Sequence, residues 1–173
     1  YEEADLSPGA IYHYFDSKVD IIRASFEFDR ERSADLFTAA ITDPNPISAL
    51  HDLAEFFFQG MESAAALGAG RVNVQGWGEA LVDPPLHESM VQVINSYLDA
   101  LSRIVLNAQQ AGQIAPSIEP RAVGHMLLSI YYGFELQKAL MPELDVASYR
   151  AAVGTLLFST DSPRESIEAT NEE

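Results

Sequence analysis

The sequence has 173 residues, 47% of them hydrophobic, which is enough for the core of one or two globular domains. It has no cysteine, which excludes a disulfide framework, a thiolate metal site and a cysteine nucleophile, and no apolar run approaches the ~20 residues of a membrane span. The lack of cysteine and of a membrane span favours a cytoplasmic protein without a membrane partner. The net charge of −16 argues against a nucleic-acid partner, and residues 1–32 alone carry eight acidic and four basic side chains.

The first informative stretch, residues 4–22, predicts two helices meeting at a tight corner. Ser7 is a good N-cap, and Pro8 suits the first helical position because its missing N–H costs nothing there. Ser17 caps the following helix, with Asp20 three residues later as in a capping box. A short helix held in this way can enter the major groove of DNA and contact base edges and phosphates. The side chains that it presents are Tyr12, His13 and Tyr14.

Residues 4–21 read Ala-Asp-Leu-Ser-Pro-Gly-Ala-Ile-Tyr-His-Tyr-Phe-Asp-Ser-Lys-Val-Asp-Ile, which resembles the second half of the helix-turn-helix of TetR-family repressors. The family pattern is Ala-Gly-Val-Ser-x-Gly-x-Leu-Tyr-x-Tyr/His-Phe-x-Ser/Asn-Lys-Glu-x-Leu, and this chain departs from it at Asp5 and Val19. The alternative interpretation is that the aromatic residues are ordinary core residues of a helical corner. The resemblance implies that DNA is contacted by Ser7, Pro8, Gly9, Ala10, Tyr12, His13, Tyr14 and Lys18.

The resemblance also implies an all-α, TetR-like organisation of the chain. A complete helix-turn-helix needs a few dozen residues before Tyr1, so only the remainder of the DNA-binding domain is expected here. The sequence Asp-Pro-Asn-Pro at 43–46 ends the helix that Ser17 opens. The predicted layout is a helix-turn-helix remainder at 1–16, a connecting helix at 17–41, a ligand-binding and dimerisation domain at 42–160 and a polar tail at 161–173.

Further helices follow in the larger domain. Asn45 and Pro46 predict a helix start, and residues 64–70 read as a loose stretch of small residues. A short helix at 71–82 contains two glycines, which indicate a kink, close packing or a mobile gate. Two long helices and a shorter one complete the chain: 86–111, stopped by Gly112; 120–140, apolar on two sides; and one capped by Asp145.

The larger domain is expected to hold a small-molecule pocket, as the resemblance implies. Aromatic and methionine side chains with a few polar groups suit an apolar or aromatic ligand. Each of these residues could instead be plain core. The candidates are Phe57, Met61, Asn73, Trp77, Tyr97, Leu101, Met126, Ile130 and Tyr131.

The last two helices are expected to form half of a four-helix bundle between two copies of the chain, the usual family arrangement. Their apolar faces supply the predicted homodimer interface. The assigned residues are Val123, Leu127, Tyr132, Phe134, Tyr149, Val153 and Leu156.

Metal binding and catalysis find little support in the sequence. His51, His87 and His125 lie on three separate segments, which fits surface positions better than a shared metal. No nucleophile elbow, phosphate loop, His-Glu-x-x-His motif or glycine-rich fingerprint is present in the sequence. We therefore expect no metal, no cofactor and no enzymatic activity.

The sequence as a whole predicts a homodimeric transcriptional regulator, a repressor released from a palindromic operator by a small apolar or aromatic effector. Its partners would be double-stranded operator DNA, the effector and a second copy of the chain. One alternative is a helical small-molecule carrier or enzyme that keeps the corner only as structure. Another is a helical interaction module that uses the two-sided helix 120–140.

Overall fold

The computed structural model describes the backbone of residues 15–62 and 64–158, and their side chains except those of residues 64–67. Within these ranges it consists of six α-helices and one 3-10 turn, with no strand. Seven of the eight expected DNA-contacting residues, all but Lys18, lie outside the described residues, as does the expected tail at 161–173. The helices are α1 (Lys18–Thr42), α2 (Pro46–Gln59), α3 (Ala64–Ala80), α4 (Pro84–Gln110), α5 (Pro120–Leu140) and α6 (Val146–Phe158).

Side-chain caps fix where most of these helices begin. The Ser17 hydroxyl accepts a hydrogen bond from the backbone N–H of Asp20 at 3.2 Å. Asp83 accepts from the backbone N–H of Leu86 at 2.8 Å, with a proline at the first helical position. After α4, Gly112 adopts a φ of +73°, the left-handed conformation that glycine takes without strain.

The start of α3 differs from the sequence prediction. Residues 64–70 were expected to be loose, but α3 begins at Ala64 and runs through them. Alanine is the strongest helix former, and three alanines open this segment. Gly70 is buried, and a Cβ there would lie 3.4 Å from Cγ of Glu135 on α5. The small residues therefore do not interrupt the helix, and Gly70 lets it lie against Glu135.

Helix α4 is the centre of the fold, packing against α1, α2 and α5. Ile104 and Val105 have no exposed surface and belong to a cluster that includes Phe37 of α1 and Leu53 of α2. Helix α3 packs across α1 and α5, and α6 packs against α2. No described helix combines the length and the apolar character that crossing a bilayer requires.

Helix α3 approaches α1 closely at Gly76, where an added Cβ would lie 2.8 Å from Cγ2 of Ile22 and from Cε2 of Phe26. We expect Gly76→Ala to destabilise the protein by about 1–2 kcal/mol, because overpacking outweighs the gain in helix propensity. Gly78→Ala is the matched control, since no described atom lies within 4 Å of its added Cβ. It should stabilise the protein by up to about 1 kcal/mol. Urea unfolding of both variants measures the difference, and equal effects would contradict the close packing at Gly76.

Candidate ligand pocket

A cavity of about 790 Å³ lies between α1, α2, α3, α4 and α5. Its size is that of sites for drug-sized molecules. Eight of the nine predicted pocket residues line it: Phe57, Met61, Asn73, Trp77, Tyr97, Leu101, Ile130 and Tyr131. The structure thus brings them together around one space, and their contact with a ligand stays a prediction.

Met126 is the exception among the predicted pocket residues. It does not line the cavity, and 45% of its surface is exposed on the outer side of α5. The helical spacing explains the difference. The cavity-lining side of α5 is centred near Tyr131 and Glu135, and at about 100° per residue Met126 lies on the opposite side of the helix.

Aromatic rings form much of the cavity wall and contact one another. Trp77 and Tyr132 meet edge to face with ring centroids 5.0 Å apart, and Tyr131 lies 5.5 Å from Tyr132. On the other side, Phe57 packs 5.3 Å from Tyr131. Edge-to-face contacts of this kind hold rings in fixed orientations. The wall is therefore largely apolar and aromatic, with its rings held by one another.

The wall also contains polar residues that were not among the predicted pocket residues, including Asp29, Ser33 and Glu135. Ser33 donates a hydrogen bond to the Tyr97 hydroxyl at 3.3 Å, and burial raises the pKa of Asp29. Their position in the sequence could have identified them as cavity residues, because Asp29 and Ser33 occur at helical spacing among apolar residues of α1. Glu135 likewise follows a run of residues in α5 that is mostly apolar.

Glu135 is the most deeply buried acid of the cavity, with 6% of its surface exposed. Its Oε1 accepts a hydrogen bond from Nδ2 of Asn73 on α3 at 2.9 Å. Burial raises the pKa of Glu135 to about 7, with a smaller contribution from Asp29, while the Asn73 hydrogen bond opposes the rise. Near neutral pH this carboxyl group therefore exchanges between its neutral and charged forms.

The tyrosines of the wall stay neutral over the physiological range. Burial raises the pKa of Tyr97, Tyr131 and Tyr132 above the ordinary value, and the nearby acids add to the effect. A neutral phenol both donates and accepts hydrogen bonds. The cavity therefore offers hydroxyl groups, two amides, two carboxyl groups and the guanidinium of Arg32 in an aromatic surrounding.

Lys18, the first residue of α1, is the one member of the predicted DNA-contacting set that the structure describes. Its Nζ lies 3.5 Å from Oε1 of Glu79 on α3, and both side chains are about half exposed. An exposed pair of this kind is worth at most about 1 kcal/mol. The lysine can therefore leave it for a DNA phosphate at little cost.

The predicted dimer residues fall into three groups. Phe134 has no exposed surface and stacks on Tyr149 at 4.1 Å, so its assignment to the interface is corrected to the protomer core. Val153 is similarly buried, at 9% exposure, because α6 packs against α2. Val123, Leu127, Tyr132 and Tyr149 are half-buried, and Leu127 and Tyr132 line the cavity.

Leu156 is 81% exposed, which fits the prediction that α6 presents an apolar surface. Leu140 and Met141, at the end of α5, are also exposed. Whether a second copy covers this surface stays a prediction.

The histidines do not form a metal site in the described part of the chain, where no three His, Asp or Glu side chains cluster. His51 lies 3.5 Å from Asp52 and meets Phe158 edge to face. His87 and His125 are exposed on separate helices.

The fold matches that of a solved structure. The chain superposes on the solved structure of Salmonella enterica GusR with a TM-score of 0.61, over 90% of this chain and 81% of that chain, at 22% sequence identity. This likeness confirms the predicted all-α fold.

Sequence comparison finds curated relatives that are transcriptional regulators. The chain is 26% identical over 130 residues to the HTH-type transcriptional regulator UidR of Escherichia coli K12 and to UidR of Shigella flexneri. The alignment includes 74% of this chain, and the chain spans 63% of the length of these relatives. No family model matches the chain. The chain is thus similar to curated HTH-type transcriptional regulators, in agreement with the resemblance in the sequence.

Proposed function

We propose that this protein is a DNA-binding transcriptional regulator that responds to a small molecule bound in the cavity. The observation that carries the proposal is the position of α1 between the helix-turn-helix-like stretch and the cavity. It begins directly after the helix-turn-helix-like stretch, and Asp29 and Ser33 in its middle line the cavity. A molecule in the cavity would therefore contact the helix that directly follows the helix-turn-helix.

The coupling of effector to DNA follows from the packing of α1. Gly76 of α3 lies against Ile22 and Phe26 of α1, and Asn73 and Trp77 of the same helix line the cavity. An occupant that shifts α3 would therefore move the first turns of α1. A ligand changes a conformational equilibrium only if it binds the two states differently. An effector that binds better when the readers are wrongly spaced would release DNA, which is the action of a repressor.

Two copies of the chain would read a palindrome, with their recognition helices one DNA turn, ~34–36 Å, apart. The exposed apolar residues Leu140, Met141 and Leu156 support a dimer that uses the last two helices. Dimerisation would also offset the acidity of the chain, because two half-sites together supply more phosphate contacts than one.

Fluorescence anisotropy tests this function. Labelled DNA from upstream of the protein's own gene is titrated with protein at several salt concentrations, beside a scrambled duplex. We expect specific binding that weakens steeply with salt, because phosphate contacts release counterions. Equal binding to both duplexes, or none at low salt with a folded protein, would contradict the proposal. That outcome would favour a helical small-molecule carrier, the alternative that the net charge of −16 supports.

A further inference from the structure

The cavity wall contains two buried acceptor atoms without a hydrogen-bond partner among the described residues. They are Oε2 of Glu135 and Oδ1 of Asn73, and the same two side chains are already joined through Glu135 Oε1 and Asn73 Nδ2. Buried polar atoms in folded proteins nearly always have partners. Both unpaired atoms are acceptors when Glu135 is ionised, so the missing partner is a donor.

The charges around this pair favour a positively charged donor. Asp29 of α1 lines the same cavity and is half-buried, which makes two carboxyl groups facing one space. Arg32 is the cationic residue in the described cavity wall, and its side chain is exposed. A carboxylate removed from water is stabilised most by an opposite charge that also donates a hydrogen bond. The positive charge of Arg32 partly offsets Asp29, because it lowers the pKa of that acid, but it is not among the groups that act on Glu135. An anionic occupant beside Glu135 would therefore meet a like charge.

The aromatic rings of the wall also favour a positively charged occupant. Trp77, Tyr131 and Tyr132 line the cavity with Glu135, and Tyr131 and Tyr132 lie within four residues of it along α5. The faces of Trp and Tyr rings carry negative potential and attract cations that lie over them. A protonated amine would therefore be attracted by the ring faces as well as by the carboxylate.

We propose that the effector carries a cationic nitrogen, a protonated amine on an apolar or aromatic body, which pairs with Glu135 between the aromatic rings. The inference rests on the proposed function, since it names the ligand class of the same cavity. The amine N–H groups donate to the carboxylate and to the Asn73 oxygen. The apolar body occupies the side of the cavity lined by Phe57 and Leu101.

The test uses three amines, tryptamine, tyramine and 4-phenylbutylamine, each beside the alcohol and the carboxylate that share its skeleton. Isothermal calorimetry and thermal shift are measured at pH 8. We expect the best amine to bind at least about tenfold tighter than its alcohol, with the carboxylate weaker still. Glu135→Gln should remove this preference, leaving amine and alcohol within about twofold. Glu143→Gln is the matched control, since Glu143 is an exposed acid outside the cavity wall.

Three results would overturn the inference: no amine binds, the carboxylates bind as tightly as the amines, or Glu135→Gln keeps the preference. The operator titration is measured separately on the same preparation. Specific DNA binding without amine preference would overturn the ligand class and leave the regulator. Amine preference without specific DNA binding would overturn the regulator and leave the ligand class.

Discussion

The double variant Tyr12→Ala and Lys18→Ala should lose at least about 100-fold in affinity for the operator. A good base contact is worth about 1–3 kcal/mol, and each lost phosphate contact weakens binding further. Tyr12 is assigned to the recognition helix by the family motif, and Lys18 is the first residue of α1. The measurement is anisotropy on the operator duplex at fixed salt, with circular dichroism and light scattering to show that fold and assembly are retained.

Glu79→Gln is the control for the lysine. It removes the partner that lies 3.5 Å from Lys18 without changing the DNA-contacting residues. Because an exposed ion pair contributes little, stability should change by less than about 1 kcal/mol. Operator affinity should stay the same or rise a few-fold, since one acidic group near the DNA is removed. Undiminished operator binding by the double variant would refute the assignment of these two residues.

The second large effect concerns Glu135 and pH. Burial raises the pKa of Glu135 to about 7 in the folded protein, against an ordinary value of 4.5. Between these values the folded chain binds more protons than the unfolded chain, so stability falls as pH rises from about 4.5 to 7. The full loss is on the order of 3 kcal/mol, since each pKa unit corresponds to about 1.4 kcal/mol.

Glu135→Gln should therefore be more stable than the parent protein at pH 8 and lose this advantage towards pH 4.5. Glutamine can still accept the hydrogen bond from Asn73 through its side-chain oxygen. Urea unfolding at several pH values measures the difference. Asp29, which also has a raised pKa, stays in both proteins, so its titration largely cancels in the comparison. A difference that does not vary with pH would show that Glu135 is ionised in both states.

The sequence predicted most helices because their signals are local. Ser17 and Asn45 do cap helices, Gly112 stops α4, and the apolar spacing of α4 identified its buried face. These features depend on neighbours within one turn of helix. The start of α3 at Ala64 was missed because small residues suit both a loop and a closely packed helix.

The cavity was predictable in part. Aromatic residues and Asn73 suggested a pocket, yet Glu135 was not selected, since a glutamate in a helix is most often solvated. Its burial depends on α3 lying across α5 at Gly70, which no local pattern reveals. The assignment of Phe134 to the dimer interface was wrong for the same reason. Sequence indicated that α5 is apolar on two sides, but only packing shows that α6, through Tyr149, covers one of them.

The spacing of residues along α3 has a consequence for anyone who wishes to retune this protein as a biosensor. Gly70, Asn73 and Trp77 line the cavity, while Gly76, one position before Trp77, packs against α1. If the proposed function holds, a library randomised at positions 73 and 77 would vary the cavity wall and preserve the contact between α3 and α1. Adding position 76 should yield many clones that still bind a compound and no longer switch.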